Sequence, residues 1–165
     1  IQKILNDVEK VNTSGRTDKG VHAEEQIIHF DTDKIFEINK FKYSINSLLS
    51  NSVKIKEIEK VDDTFNARFS AKERTYQYLF SNEEIPFYFQ DHITKVNFNI
   101  NKAVCQEFVE VIKGTHDFIQ FRKKGSNEKS TVKTILSTEF EESFAKDLYN
   151  SNITLKYYKI KIILF

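Results

Sequence analysis

Methionine is absent from the 165 residues, and there is one cysteine, one proline and only four glycines. Each scarcity excludes something. A lone Cys105 cannot close an internal disulfide, which fits a reducing, cytoplasmic setting. No apolar run approaches the ~20 residues needed to span a bilayer, so no membrane association is expected. No signal peptide is visible, since Ile1 begins inside what reads as an amphipathic helix. The missing initiator, a start inside an amphipathic stretch and an apolar end from Ile160 to Phe165 read as cuts from a longer protein. The histidines at 22, 29, 92 and 116 and the single cysteine show no metal-ligand spacing.

What is present suits a globular protein: 39% hydrophobic and 30% charged residues. The net charge of +1 neither demands nor excludes a nucleic-acid partner. Two stretches are locally basic. One holds Arg68, Lys72 and Arg74 against Glu73; the other runs from Lys113 to Lys133 with Arg122, Lys123, Lys124 and Lys129 between. Charge alone leaves these as either solvated surface or a phosphate track.

Periodicity predicts a helix over residues 1–10 and a strand near 22–31. A helix capped by Asn39 should turn Phe41, Ile45, Leu48 and Leu49 inward, and a strand is expected over 53–61. Residues 72–81 alternate as a strand, with Tyr76, Tyr78 and Phe80 on one face, and Pro86 breaks the pattern. Asn101 should cap a helix with Val104, Phe108, Val111 and Ile112 inward, ending near Gly114, with Cys105 as a small core residue. Strands near 131–141 and 152–164, joined by a turn at Asn150 to Asn152, complete the chain. The mixture implies an α+β fold with a largely antiparallel sheet.

Two of the four glycines, Gly15 and Gly20, bracket Arg16, Thr17 and Asp18. Glycine tolerates positive φ and close approach, so the polar loop is either a tight turn or a site. It lacks the Lys-Ser/Thr pair of a phosphate-binding P-loop.

The segment from Gly15 to Ala23, followed by Gln26 and by His29-Phe30-Asp31-Thr32, resembles the catalytic motif of the tRNA pseudouridine synthase I family (TruA). Further blocks follow in order. Asn46-Ser47-Leu48-Leu49 is similar to the family's Asn-x-Leu-Leu helix end. Phe65-Asn66-Ala67-Arg68-Phe69-Ser70-Ala71 resembles its Phe-His-Ala-Arg-Phe-Ser-Ala block. Arg74-Thr75-Tyr76-Gln77-Tyr78 resembles its Arg-x-Tyr-x-Tyr strand. Gly114 to Arg122 and Lys129 to Ile135 resemble the two segments after it. Asn66, Ser50 and Lys133 depart from the family's usual residues, and none of them touches Asp18 or Tyr76.

The resemblance implies a pseudouridine synthase fold: a mostly antiparallel sheet flanked by helices, in ferredoxin-like halves. We expect halves at residues 1–80 and 81–165, both incomplete at their outer ends. It implies isomerisation of uridine to pseudouridine in the tRNA anticodon stem-loop, around positions 38 to 40, in a homodimer and without cofactor or metal. Asp18 would be the nucleophile, Tyr76 the surface for the flipped uracil, and Arg16 either the base-flipping residue or the partner of Asp18. Arg68, Lys72, Arg74, Arg122, Lys123, Lys124 and Lys129 would contact RNA. His22 and His29 are expected to be structural, and Phe118 and Phe121 to pack the 114–122 turn. The family's C-terminal arginine, which pairs with the catalytic Asp, lies beyond Phe165, so the piece alone is expected to be impaired. The alternatives are an RNA-binding segment without catalysis and a glycosidic hydrolase. The latter usually needs two facing carboxylates, and no second acid accompanies Asp18 in its loop.

Overall fold

A computed structural model describes residues 1–8, 10–122, 130–149 and 154–165. The chain divides into two compact units, Ile1–Ala71 and Lys72–Phe165. The division falls before the 80/81 boundary expected from the sequence. The strand that carries Tyr76 is hydrogen-bonded along its length to the last strand of the chain, and so belongs with the second unit. Among the described residues no helix is long and apolar enough to cross a membrane.

In the first unit, helix α1 spans only Gln2–Leu5. Asn6 adopts φ 61°, and its N–H returns to the Gln2 carbonyl, which ends the helix well short of residue 10. Helix α2 (Ile38–Leu48) is capped by Glu37, not by Asn39. The Glu37 carboxylate accepts the N–H groups of Asn39 and Lys40 at 2.8 and 2.6 Å, so Asn39 already lies in the first turn. A carboxylate there also complements the positive end of the helix dipole.

The inward stripe of α2 runs through Phe41, Ile45 and Leu49, whereas Leu48 is 65% exposed. Leu5, Val8, Phe41 and Ile45 form the core of this unit, with Phe30, Phe36, Ile55 and Ile58 packed around them.

Strands β1 (Asn12–Thr13) and β2 (Ile28–His29) form one short antiparallel ladder, in place of a strand over 22–31. The expected strand over 53–61 forms no ladder among the described residues. A side chain stands in for a partner strand. Asn46 accepts the Ile55 N–H at 2.8 Å and donates to the Ile55 carbonyl at 3.0 Å. The carboxamide has the donor and acceptor that a neighbouring strand would offer.

The second unit is a five-stranded sheet built from β3 (Arg74–Ser81), β4 (Thr94–Lys95), β5 (Gly114–Asp117), β6 (Val132–Lys146) and β7 (Thr154–Leu164). The strand order is β4-β3-β7-β6-β5. Only β3 and β4 run parallel; every other pairing is antiparallel. The expected turn at 150–152 lies outside the described residues.

Helix α3 (Lys102–Val111) follows its expected cap: the Asn101 carboxamide oxygen accepts from Ala103 and Val104 N–H at 3.0 and 3.3 Å. Its inward face is not the expected one. Val109 is fully buried and its carbonyl accepts the Thr138 hydroxyl of β6 at 2.8 Å, whereas Val104, Phe108 and Val111 are exposed. Docking through Val109 turns the expected stripe outward. Cys105 is half-buried on α3, and burial pushes its thiol pKa up. Gly114, at φ 103°, opens β5, and the helix itself is closed by Ile112. The chain is therefore mixed α+β, with a mostly antiparallel sheet flanked by helix.

One face of the sheet packs Leu79, Leu155 and Tyr157 against Ile85, Ile93 and Phe89. On the other, Tyr78, Phe80, Tyr158 and Phe140 form an aromatic row with ring separations of 5.7, 5.8 and 5.8 Å. Ser81 is the buried polar residue between these strands. Its hydroxyl donates to the Lys156 carbonyl at 2.6 Å and accepts the Glu83 N–H at 3.1 Å.

Two stability measurements follow from these contacts. Ser81→Ala strands the half-buried Lys156 carbonyl and Glu83 N–H, so unfolding should become easier by about 1 kcal/mol in urea titration; an unchanged midpoint would contradict this. Thr32 donates to Asp7 at 2.7 Å, and that hydrogen bond holds the Asp7 carboxyl below its ordinary pKa. A depressed folded-state pKa gives stability above the ordinary carboxylate value of about 3.9, lost as pH falls through the folded value. Thr32→Val should therefore lower the thermal midpoint at neutral pH, and the gap from wild type should close in acid.

Candidate active site

The loop after β1 is pinned at both ends. At its stem the ladder pairs Asn12 with His29 and Thr13 with Ile28, and the Ser14 N–H continues it to the Ile27 carbonyl at 2.9 Å. Side chains then take over from the backbone. Thr13 donates its hydroxyl to the Gly15 carbonyl at 2.9 Å, and the Gln26 carboxamide donates to both Thr13 Oγ1 and the Gly15 carbonyl.

At the far end the Val21 N–H closes a turn on the Asp18 carbonyl at 3.1 Å. Gly20 is the third residue of that turn, with φ 86°. A type II turn demands positive φ there, and a side chain would be strained. Gly15 is different: a Cβ built there would meet only Gln26 Nε2, at 3.9 Å. Only one of the two glycines is thus required by backbone conformation.

Between the pinned points Arg16, Thr17 and Asp18 face solvent. Among the described residues no ion pair joins Arg16 to Asp18.

The second sequence block docks on the same ladder through His29. Its Nδ1 accepts the Ala67 N–H at 3.0 Å, and its Nε2 lies 3.2 Å from the Asn12 side-chain nitrogen. The ring edge also meets Phe65, with centroids 6.1 Å apart.

The turn that follows is held by Asn66. Its side-chain oxygen accepts the Arg68 and Phe69 N–H groups at 3.0 and 3.2 Å, and Ser70 Oγ accepts the Asn66 N–H at 3.1 Å. Asn thus supplies a short acceptor suited to capping a turn. The turn presents Arg68 outward, its guanidinium 5.8 Å from the centroid of the Phe69 ring. Phe69 is 81% exposed, although its aromatic type alone marks it for a core.

In the second unit Tyr76 stands mid-strand on β3, opposite Ile162 of β7. It is half exposed, and so is Tyr78 on the same face. Arg74 is half-buried at the start of β3 and Lys72 is exposed just before it. Arg122 is exposed at the end of a short helical turn, Ile119–Phe121. His116 contacts the Lys113 carbonyl at 2.9 Å and the edge of Phe118, which in turn meets Phe121. Phe121 remains largely exposed. Lys123, Lys124 and Lys129 lie outside the described residues. Among the described residues no group of three or more His, Cys, Asp or Glu is arranged to hold a metal ion.

Sequence reading missed the holding residues: Thr13, Gln26, Asn46 and Asn66. The available signal was membership of the motif blocks, which take in Gln26, Asn46 and Asn66 without giving any of them a chemical role.

Among known proteins, no family model matches the chain. Curated relatives do. The tRNA pseudouridine synthase A of Bacillus subtilis (strain 168) is 36% identical over 134 residues, 81% of this chain and 54% of that protein. That of Anaplasma phagocytophilum (strain HZ) is 39% identical over 149 residues, 87% of this chain and 58% of that protein. That of Ruminiclostridium cellulolyticum is 37% identical over 140 residues, 84% and 57%. The chain belongs to the tRNA pseudouridine synthase A family. It spans about half the length of the curated relatives it matches.

The His29 contact can be tested by itself. His29→Leu leaves the N–H of Ala67, a residue 2% exposed, without its acceptor. The expected cost is about 1–3 kcal/mol in the unfolding free energy. A wild-type denaturation midpoint in this variant would mean that the ring is not holding the turn.

Proposed function

We propose that this chain carries the catalytic segment of a tRNA pseudouridine synthase, which isomerises uridine to pseudouridine in the anticodon stem-loop around positions 38 to 40. The observation that carries this reading is the exposed Asp18 carboxylate, held between the Gly15 clamp and the Asp18–Val21 turn. It lies in a chain whose relatives bear that enzyme's name. On this reading the fold is that of the pseudouridine synthases, with ferredoxin-like halves. The parent protein works in the cytoplasm as a homodimer on tRNA.

The reaction conserves every atom. The bond from uracil N1 to ribose C1′ breaks, the base turns, and a bond from C5 to C1′ forms. C5 loses its proton and N1 is left protonated, so no oxidant, reductant or cofactor is called for. Asp18 serves as the nucleophile, either toward the base or toward positive charge developing at the ribose.

A paired uridine must first leave its stack. Arg16, exposed in the same loop, can fill the vacated space or hold a phosphate. Tyr76 offers the flipped uracil a half-exposed ring on a rigid strand, and stacking of this kind is worth roughly 1–3 kcal/mol per base. Arg68, Lys72, Arg74, Arg122, Lys123, Lys124 and Lys129 are each assigned to RNA phosphate contacts, which lend salt-dependent affinity without reading sequence.

The test is Asp18→Asn in the full-length parent. Binding of tRNA should persist, while tritium release from 5-labelled uridine in tRNA should fall by roughly 10²–10⁴-fold, as on loss of a positioned catalytic side chain. Wild-type turnover in this variant would remove Asp18 from the chemistry.

A further inference from the structure

We infer that Gln26 is a positioning residue for the Asp18 loop. With Thr13 it fixes the Gly15 carbonyl and so sets where Asp18 stands. The inference rests on the reading of Asp18 as the reacting carboxylate.

The backbone ladder of the stem ends at Ser14. Beyond it the chain is held by a closed ring of three hydrogen bonds. Gln26 Nε2 donates to Thr13 Oγ1 at 2.8 Å and to the Gly15 carbonyl at 2.5 Å, and Thr13 Oγ1 donates to the same carbonyl at 2.9 Å.

The polarity of this ring is fixed. A primary amide nitrogen has two protons, and both are used. The Thr13 hydroxyl accepts one bond and donates the other. The Gly15 carbonyl accepts on both lone pairs. No other neutral side chain of this length brings two donors on one atom, so the identity of residue 26 follows from the acceptors it faces.

The clamp leaves only Arg16 and Thr17 between the pinned Gly15 carbonyl and Asp18, whose own carbonyl is pinned by Val21. Without it the free stretch lengthens back to Ser14. A reacting group that must be placed to within a fraction of an ångström loses rate steeply when its support loosens, by about 10²-fold for a misplacement of about 1 Å.

The test uses Gln26→Glu and Thr13→Val in the full-length enzyme, with Asp18→Asn alongside. Gln26→Glu keeps the shape but turns an oxygen toward a carbonyl. At about pH 8 its kcat on tRNA should fall about tenfold or more with KM unchanged, and Thr13→Val should lower kcat likewise. As pH falls toward about 4, the introduced carboxyl takes up a proton and regains one of the two donors, so the deficit relative to wild type should shrink in part. Amide hydrogen exchange over residues 15–21 should quicken in Gln26→Glu and stay unchanged in α2. A kcat equal to wild type at both pH values, or a deficit that ignores pH and exchange, would overturn the inference. If Asp18→Asn stays active, the Asp18 reading fails, while loop exchange still reports on the clamp. If Asp18→Asn is inactive and Gln26→Glu is normal, the clamp inference alone fails.

Discussion

The imidazole of His29 is the contact on which the first unit's functional surface depends. It accepts the Ala67 N–H on one ring nitrogen, meets Asn12 with the other, and sets its edge against Phe65. One side chain thereby joins the ladder that carries the Asp18 loop to the turn that presents Arg68. The Ala67 contact needs a lone pair on Nδ1, because the N–H that faces it can only donate. The unit needs such a device because its ladder is so short: β1 and β2 exchange only two residue pairs. With little sheet to absorb backbone polar groups, they turn to side chains. Asn46 takes both polar groups of Ile55, Asn66 takes the N–H groups of its turn, and Gln26 takes the Gly15 carbonyl.

The second unit solves the same problem with backbone. β3, β7 and β6 satisfy one another over long registers, so side chains are left to pack or to face outward. Glu141 and Lys159 pair directly across β6 and β7; that contact holds the Glu141 carboxyl below its ordinary pKa and the Lys159 ammonium above its own. Buried Phe80 and Tyr158 form the middle of the aromatic row, with half-buried Phe140 at one end and half-exposed Tyr78 at the other. Tyr76 therefore rests on a strand whose register is fixed by its neighbours, a firmer mount than a loop provides.

Legibility in the sequence followed this division. The long strands β3, β6 and β7 were visible as alternation, and Asn101 as a cap, because both are local patterns. The strand expected over 53–61 was not formed, because alternation reports burial of a face and is blind to whether a partner strand exists. Asn46, distant in sequence, supplies the substitute. Glu37 caps the helix in place of Asn39: its carboxylate accepts the N–H groups of Asn39 and Lys40, which puts Asn39 inside the first turn. The outward turn of Val104, Phe108 and Val111 was invisible, since helical spacing gives a stripe without saying which neighbour it meets. At the site, the order of the motif blocks carried the family. Residue type and spacing could single out the Asp18 loop and its scarce glycines, but not the Gln26 ring of hydrogen bonds, which is a matter of side-chain reach.

The glycines show what the loop requires. Gly20 is fixed by its φ, whereas Gly15 has room for a Cβ, so what matters at position 15 is its carbonyl and the donors aimed at it. This separates two ways of placing a carboxylate. Burial among side chains gives precision but removes an ionised group from water, at a cost that must be offset by close partners. The alternative leaves the side chain in solvent and fixes the backbone on either side of it. Asp18 follows the second course: its carbonyl is tied to Val21, the Gly15 carbonyl is tied to Gln26 and Thr13, and its carboxylate stays open to whatever docks on the loop. On the proposed reading of Asp18, such a site draws its accuracy from hydrogen bonds to main-chain atoms, and for that reason the residues that support it can lie in the motif without touching the chemistry.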